Sequence, residues 1–380
     1  MDEAVLTERL MAYDTSTPEG IRAGAEFVKA WFEAREVDVR HIDHHGLPVL
    51  IAESGPADGP VVILHGHIDV VPAFEHQFTP EIDGDRLVGR GAYDMKGGLA
   101  AMMCAVHDAA AQDAVRLRFV CVPDEESEDV DDRSTDALVR DGTLHADFAI
   151  TGEPTDLHIG VQAKGVLAIR VEVSGLAAHG STPWLGDNAI LKSHDVFRRI
   201  ETLPFSRESS DLFDRPSINL ARIMGGDAFN KVPDRCGMDV DIRYLPGQDP
   251  DEILRQVADL PDVEILRSFS RRPAIVSREN VFVLALRDAV SRSVEGEALS
   301  IGRDGASDAI SFLEAGIPAV EFGPVGGGHH GPEEWVSIAS LARYRRALRD
   351  FVLGLPAHLG GAGTAAPALR AVDGGASASG

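Results

Sequence analysis

Two short stretches in the first third of the chain carry side chains that could bind metal ions. His67 and Asp69 follow the apolar run 61–64, and Asp94 lies in a glycine-rich segment that precedes an Ala- and Met-rich helical pattern. The apolar run is typical of a buried parallel strand, and α/β proteins keep their sites where such strands end. His67 and Asp69 are two residues apart on an extended chain, so the carboxylate could brace the imidazole. A carboxylate at a tight turn, such as Asp94, can bridge two cations.

Three later segments add acids and histidines directly after further apolar runs. They are Asp124-Glu125-Glu126 after 115–122, Glu153 after 148–150, and His329-His330 after 319–322. Zinc binds imidazole nitrogen and carboxylate oxygen, and two zinc ions about 3.5–4 Å apart can hold a bridging water while they polarise a carbonyl. Of the neighbours Glu125 and Glu126, one could bind metal while the other takes a proton. The pattern therefore favours amide hydrolysis.

From about His65 to Glu334 these motifs, taken in order, resemble the M20 metallopeptidases, specifically the branch of acetylornithine deacetylase and succinyl-diaminopimelate desuccinylase. The resemblance implies two zinc ions, which cobalt can replace, and a general base at Glu125. The implied metal ligands are His67, Asp94 as the bridge, Glu126, Glu153 and His330. His330 takes the ligand role because it has the motif spacing to Glu334, which leaves His329 to local hydrogen bonding.

The resemblance extends to residues that would contact the substrate. His179 lies in a motif whose histidine, in relatives, reaches across a dimer to the carbonyl of the scissile bond, and Asn230 lies in one whose asparagine approaches the substrate. Arg243 matches a strand arginine that pairs with a substrate carboxylate. Ser307 lies in a glycine-containing loop whose backbone N–H groups could hold an anion, although a plain helix cap is an equal reading of this serine.

Charge and composition limit the kinds of molecule that the protein is expected to bind. The formal net charge of −25 argues against nucleic acid and against anionic membrane surfaces. The acidic N-terminus does not have the pattern of a signal peptide, and no apolar run approaches the length of a membrane span. The three cysteines, an odd number, lie far apart in the sequence. We therefore expect a reduced, cytoplasmic protein with a small-molecule substrate.

The order of the patterns predicts an α/β fold with an insertion. Strand and helix patterns alternate up to Glu153, which predicts a mostly parallel sheet sandwiched by helices, as in zinc exopeptidases. Residues 166–277 then read as an inserted α+β domain, which in the family serves as lid and dimer surface. The prediction is a discontinuous catalytic domain (1–165 and 278–357), the lid (166–277), a disordered tail (358–380), and a homodimer through the lid.

The main hypothesis is a di-zinc amidohydrolase that removes an acetyl or succinyl group from the nitrogen of an amino acid or diamino acid. A dipeptidase or carboxypeptidase of the same fold is the nearest alternative, because the metal motifs are shared. A metal-binding relative without catalysis is disfavoured, since Glu125 and all the implied ligands are present.

Overall fold

The structure is a computed structural model that describes residues 2–126, 133–293, 299–305 and 307–361. Its strands are β1 Val39–His44, β2 Leu47–Ser54, β3 Val61–His67, β4 Glu81–Asp83, β5 Arg86–Val88, β6 Arg116–Val122, β7 Phe148–Thr151, β8 Ile159–Ala163, β9 Gly165–Ser174, β10 Ser217–Gly225, β11 Arg235–Tyr244, β12 Val263–Arg271, β13 Ala274–Ile275, β14 Ser300–Arg303, β15 Ala319–Glu321, β16 Gly326–Gly327 and β17 Trp335–Ser337. Its α-helices are α1 Glu3–Met11, α2 Pro18–Glu33, α3 Gly97–Asp108, α4 Ser134–Arg140, α5 Ala189–Ile200, α6 Pro250–Ala258, α7 Val281–Ser293, α8 Ala309–Glu314 and α9 Ile338–Gly361.

A large sheet forms the centre of the molecule, and its described strands run in the order β1-β2-β6-β3-β7-β15-β8-β13, with β14 paired to β8. The central strands β6, β3, β7 and β15 are parallel, while β1, β2 and β13 pair in antiparallel fashion towards the edges. Along β3, Val62 and Leu64 enter one hydrophobic core and Ile63 enters the other. The first core contains residues of α1, α2, α3, α7 and α9, and the second contains residues of α4 and α8. The predicted α/β fold, with a mostly parallel central sheet between helices, is confirmed.

Local sequence explains where the first helices begin. The side chain of Asp2 accepts a hydrogen bond from the backbone N–H of Val5, and that of Thr17 accepts one from Gly20. Both satisfy backbone donors that a first helical turn leaves without a partner, and Pro18 needs no donor at the first position of α2.

A second, four-stranded antiparallel sheet forms the lid, in the order β10-β11-β9-β12. Helices α5 and α6 pack on it and share its own hydrophobic core, in which Ile169, Val240 and Ile253 are buried. The sheet of the lid begins at Gly165, and the chain is back in the large sheet at Ala274, which pairs with Ala163. The boundary predicted at 277 is therefore too late, because the short strand β13 has too few residues to give a sequence pattern.

The last helix runs further than the sequence analysis predicted. α9 ends at Gly361, so residues 358–361 are helical and not part of a disordered tail. Leu359 packs against the main core and His358 lies 3.4 Å from Asp288, and these contacts hold the final turn. The rest of the predicted tail, 362–380, lies outside the described residues. None of the described helices combines the length and the hydropathy that crossing a membrane requires.

Candidate metal centre and active site

The site lies where the central parallel strands end. β3 ends at His67, which is paired with Val122 at the end of β6, and His65 of β3 is paired with Thr151 at the end of β7. The loop after β6 carries Glu125 and Glu126, and the loop after β7 carries Glu153. Because parallel neighbours end at the same edge of the sheet, these side chains meet there.

The structure brings all the predicted metal ligands together around Asp94. One carboxylate oxygen of Asp94 lies 3.0 Å from Nε2 of His67, and the other lies 3.1 Å from Nε2 of His330. The same nitrogen of His330 lies 2.9 Å from Oε1 of Glu126, and Nε2 of His67 lies 3.9 Å from Oε1 of Glu153. The two oxygens of Asp94 thus face different histidines, as in a bridging carboxylate. Asp94 belongs to two groups of possible metal ligands, one with His67 and Glu126 and the other with His329 and His330.

His329 also reaches this cluster. Its Nε2 atom lies 2.5 Å from Oδ2 of Asp94, and its ring packs edge-on against Tyr93. The sequence analysis left His329 to local hydrogen bonding, whereas the structure places both neighbouring histidines at Asp94. His330 differs from His329 in its additional contact with Glu126.

Glu334 fixes the loop that carries Asp94, a role that the sequence analysis did not assign. Its Oε1 atom accepts hydrogen bonds from the backbone N–H groups of Tyr93 (2.9 Å) and Asp94 (3.0 Å). Its Oε2 atom accepts one from Arg90 at 2.6 Å, and Arg90 also donates to the carbonyl of His330 at 3.0 Å. The buried pair of Glu334 and Arg90 therefore holds both histidine and aspartate segments of the cluster. In the sequence, the only indication of this role was the position of Glu334 at the end of the histidine motif.

Substitution Glu334→Gln is expected to lower the free energy of unfolding by about 3–5 kcal/mol, because the buried Arg90 then loses its charged partner. Urea unfolding measures the change. The neighbouring exposed Glu333 offers a matched control, and Glu333→Gln is expected to stay within about 0.5 kcal/mol of the wild type. Equal stability of the two variants would contradict the role given to Glu334.

Asp69 joins the loop of the two glutamates to His67. Its carboxylate accepts hydrogen bonds from the backbone N–H groups of Glu125 (3.3 Å) and Glu126 (2.8 Å). Nδ1 of His67 lies 2.9 Å from the carbonyl oxygen of Asp69 and 3.5 Å from its carboxylate. The closer partner of the imidazole is thus the backbone of Asp69, while its carboxylate mainly orders the glutamate loop.

Glu125 lies beside the ligand cluster and points at a different partner. Its Oε1 atom is 3.3 Å from Nη1 of Arg133, and its side chain is 13% exposed. Burial, together with the negative charge of Glu153, raises the pKa of Glu125 well above its usual value. A carboxyl with a raised pKa next to a ligand cluster has the properties of a group that accepts and returns protons.

The electrostatics of the cluster fit divalent cations. Burial, and then the charge of Asp94, raise the pKa of Glu153 well above its usual value. Burial works against the charged forms of His67 and Asp94 as well. Contacts with Asp69 and Asp94 nevertheless raise the pKa of His67, and the contacts of Asp94 with the three histidines lower its own pKa. Several buried carboxylates and imidazoles therefore crowd one place, and positive ions held there would offset the cost of burying their charges.

A cavity of about 360 Å³ opens beside the cluster. Two of the predicted substrate residues, Arg243 and Ser307, line it together with metal-cluster residues. Two further arginines, Arg133 and Arg303, also line it, and the sequence analysis gave neither a role.

The other two predicted substrate residues are elsewhere. His179 and Asn230 lie on an exposed part of the lid, where the N–H of Gly180 donates to the carbonyl of Asn230 at 2.7 Å. Nδ1 of His179 lies 2.8 Å from Oγ of Ser181. Neither residue is among the described residues that line the cavity, so within one chain they do not reach the site.

Several proteins have sequences similar to that of this chain. The chain is 33% identical to a "Putative [LysW]-lysine/[LysW]-ornithine hydrolase" from Pyrobaculum aerophilum, over 54% of this chain and 56% of the relative. It is 33% identical to a "Probable carboxypeptidase" from Aspergillus terreus, over 57% of this chain and 52% of the relative. The chain thus spans little more than half the length of these two relatives. A "Succinyl-diaminopimelate desuccinylase" from Corynebacterium glutamicum is 28% identical over 85% of this chain and 88% of that protein.

The fold and the family agree with these matches. The M20 family metallo-carboxypeptidase Sso-CP2 from Sulfolobus solfataricus superposes with a TM-score of 0.74 at 20% identity, covering 94% of this chain and all of the other. The sequence model of peptidase family M20/M25/M40 matches residues 63–354, which include every residue of the cluster. The predicted relationship is confirmed, and the chain belongs to peptidase family M20/M25/M40.

Proposed function

We propose that the protein is a di-metal amidohydrolase that removes an acetyl or succinyl group from the nitrogen of an amino acid or diamino acid. The observation that carries this proposal is the position of Glu125, which lines the cavity next to the ligand cluster but contacts Arg133 and Asp69. A hydrolase needs such a carboxylate, whereas a site that only stores metal does not. The desuccinylase relative supports the acylated substrate.

Two divalent cations would be held by His67, Asp94, Glu126, Glu153 and His330, with Asp94 shared between them. We propose zinc, with cobalt as a substitute, because imidazole nitrogen and carboxylate oxygen suit both ions. When bound, such a pair supplies an activated water and polarises the carbonyl of the substrate.

Glu125 moves the proton in this reaction. Its carboxylate takes a proton from the attacking water and returns it to the leaving nitrogen, so that the amine departs neutral. Arg133 holds Oε1 of Glu125, and Asp69 holds its backbone N–H, so the carboxylate is fixed before substrate arrives. Fixed orientation of this kind lowers the entropic cost of reaching the transition state.

Substrate recognition falls to residues on both sides of the cavity. Nε of Arg243 contacts Asp241 at 3.0 Å, and its terminal nitrogens are available for the planar two-point grip on a carboxylate that guanidinium allows. Oγ of Ser307 donates to Glu321 at 2.6 Å and accepts from the backbone N–H of Ala309 at 3.3 Å, which leaves one lone pair to accept a hydrogen bond from substrate. His179 and Asn230 would act on the carbonyl oxygen of the substrate only from a second copy of the chain.

The proposal therefore includes a homodimer through the lid. The lid exposes large apolar side chains, among them Trp184, Met224 and Phe229, which a second copy could cover. No nucleic acid or membrane partner is part of the proposal.

A substrate panel tests the proposed reaction. We expect metal-dependent release of primary amine from N-acetylornithine, N-succinyl-diaminopimelate or another N-acyl amino acid, lost on chelation and restored by zinc or cobalt. The same preparation is measured by sedimentation, since a monomer would remove the role of His179. Absence of turnover with every acylated amine, while metal is bound, would contradict the proposal.

A second candidate is a peptidase of the same family, which the similarity to the "Probable carboxypeptidase" favours. Simple dipeptides in the panel separate the two candidates, because a peptidase cleaves substrates with free ends. A relative without catalysis is less well supported, since Glu125 and the complete ligand set meet at one site.

A further inference from the structure

His329 lies at the ligand cluster, and the proposed function gives it no role. Its Nε2 atom lies 2.5 Å from Oδ2 of Asp94, the same oxygen that lies 3.1 Å from Nε2 of His330. The two imidazole rings meet edge to face, with their centres 4.3 Å apart. One nitrogen from each ring therefore points at the same carboxylate oxygen.

The two neighbouring side chains converge because the backbone turns between them. On an extended strand, neighbours point to opposite faces, so a straight segment would direct one of the two rings away from Asp94. His329 and His330 instead occupy the middle of a tight turn, in which the N–H of Gly331 donates to the carbonyl of Gly328 at 2.7 Å. His330 has a φ of 57°, a left-handed value that turns usually place at glycine or asparagine.

Contacts with other segments hold this turn in place. Arg90 donates to the carbonyl of His330 at 3.0 Å, and Nε2 of Gln77 donates to the carbonyls of Gly331 (3.3 Å) and Pro332 (3.2 Å). Left-handed backbone at a residue other than glycine persists where the surroundings fix it, and it is frequent at functional sites. The fold thus maintains an unfavourable turn, and the result is that two imidazoles reach one carboxylate.

Packing also fixes the ring of His329. Tyr93 meets it edge-on, with ring centres 6.1 Å apart, and the hydroxyl of Tyr93 donates to Asp156 at 3.0 Å. The side chain of His329 is 45% exposed, as is that of His330. Cations from solvent can therefore reach both imidazoles.

With His329 included, two imidazole nitrogens and two carboxylate oxygens lie at one end of the cluster. Nε2 of His330 is 2.9 Å from Oε1 of Glu126 and 3.1 Å from Oδ2 of Asp94, and His329 adds the second nitrogen. Four protein ligands are the number that zinc takes in a closed, tetrahedral site, whereas catalytic zinc has three and keeps one position open.

We propose that His329 is a sixth metal ligand, which binds the cation on the His330 side of Asp94. This inference rests on the two-cation part of the proposed function and makes the two cations unequal. The cation at His329 has four protein ligands, whereas the one at His67 and Glu153 has three and keeps a position open. The cation at His329 should therefore bind more tightly and leave last during chelation.

Calorimetric titration of the full, metal-free chain with zinc tests this inference. We expect two zinc ions with separate affinities in the wild type. His329→Gln should weaken the tighter affinity by at least roughly 100-fold, since even the loss of a ligand's hydrogen-bond partner costs about 10- to 100-fold. Glutamine can still donate a hydrogen bond to Asp94, so a role of His329 limited to hydrogen bonding would leave the affinity almost unchanged.

His194→Gln is the matched control. His194 lies on α5 of the lid, its side chain is 70% exposed, and it contacts only Asp195 among the ion pairs of the described residues, at 3.8 Å. This substitution removes an imidazole from the chain without touching the cluster, so both zinc affinities should stay at the wild-type values.

A crystal structure of the zinc-loaded wild type provides a second measurement that depends on no variant. Nε2 of His329 should lie about 2.0–2.1 Å from a zinc ion. A His329 ring that contacts Asp94 but no zinc would overturn the inference, as would an unchanged tighter affinity in His329→Gln.

Zinc binding and hydrolysis separate this inference from the proposed function. Zinc bound by His329, without turnover of any acylated amine, would support the inference and overturn the proposed function. Turnover of an acylated amine, with both zinc affinities of His329→Gln at the wild-type values, would overturn only the inference.

Discussion

Exchange of Glu125 for glutamine is expected to lower kcat by about 10²–10⁴-fold, because the amide keeps the shape of the side chain but cannot take a proton. The metal content should stay at the wild-type level, since Glu125 contacts Arg133 and Asp69 and not the ligand groups around Asp94. Turnover of the best acylated substrate and the zinc content per chain are the two measurements.

The neighbouring glutamate supplies the contrast. Glu126 contacts His330 at 2.9 Å, so Glu126→Gln should lower the zinc content along with the activity. A Glu125→Gln variant that turned over substrate at the wild-type rate would show that another group moves the proton. One that lost zinc would show that Glu125 is itself a ligand.

The second large effect is expected from Asp94→Asn. Its two oxygens face His67 and His330, so the substitution removes the one carboxylate that both groups of ligands share. We expect the zinc content to fall for both ions and the turnover to fall at least as far as in Glu125→Gln. The rise in melting temperature that zinc causes in the wild type should also be lost, since a ligand stabilises only the state that binds it.

Asp156→Asn is the matched control for this prediction. Asp156 accepts a hydrogen bond from the hydroxyl of Tyr93, next to Asp94, but it belongs to neither metal-binding group. Its φ of 54° is a left-handed conformation that asparagine tolerates well. Retention of zinc in Asp94→Asn, with loss of zinc in Asp156→Asn, would contradict the assignment of the bridge.

The parts of the site that the sequence predicted are those that follow strand ends. His67, Glu126 and Glu153 each come shortly after an apolar run, and parallel pairing then brings the ends of those runs together. The ligand roles of Asp94 and His330, and the choice of Glu126 over Glu125, follow from the resemblance to the M20 motifs. For the residues at strand ends, the sequence pattern is local. Because neighbouring parallel strands end at the same edge of the sheet, such residues lie close together in the fold.

The parts that the sequence missed depend on contacts between distant segments. Glu334 binds backbone groups 240 residues or more before it, and that contact arises because β17 pairs with β5. Arg303 lines the cavity only because β14 joins the large sheet beside β8. The residues next to Arg303 in the sequence indicate a turn, and their pattern does not predict that its side chain lines the cavity.

The pairing of Ala274 with Ala163 means that the lid leaves the large sheet and returns to it at adjacent backbone positions. A short hairpin could join Ala163 directly to Ala274. The lid is therefore an insertion at one edge of a catalytic domain that would otherwise be continuous. The five proposed metal ligands all lie in the catalytic domain, whereas Arg243 belongs to the lid. Exchange of the lid between relatives would thus change the residues that bind the substrate and leave the metal ligands in place. This gives the fold a simple route to new specificities.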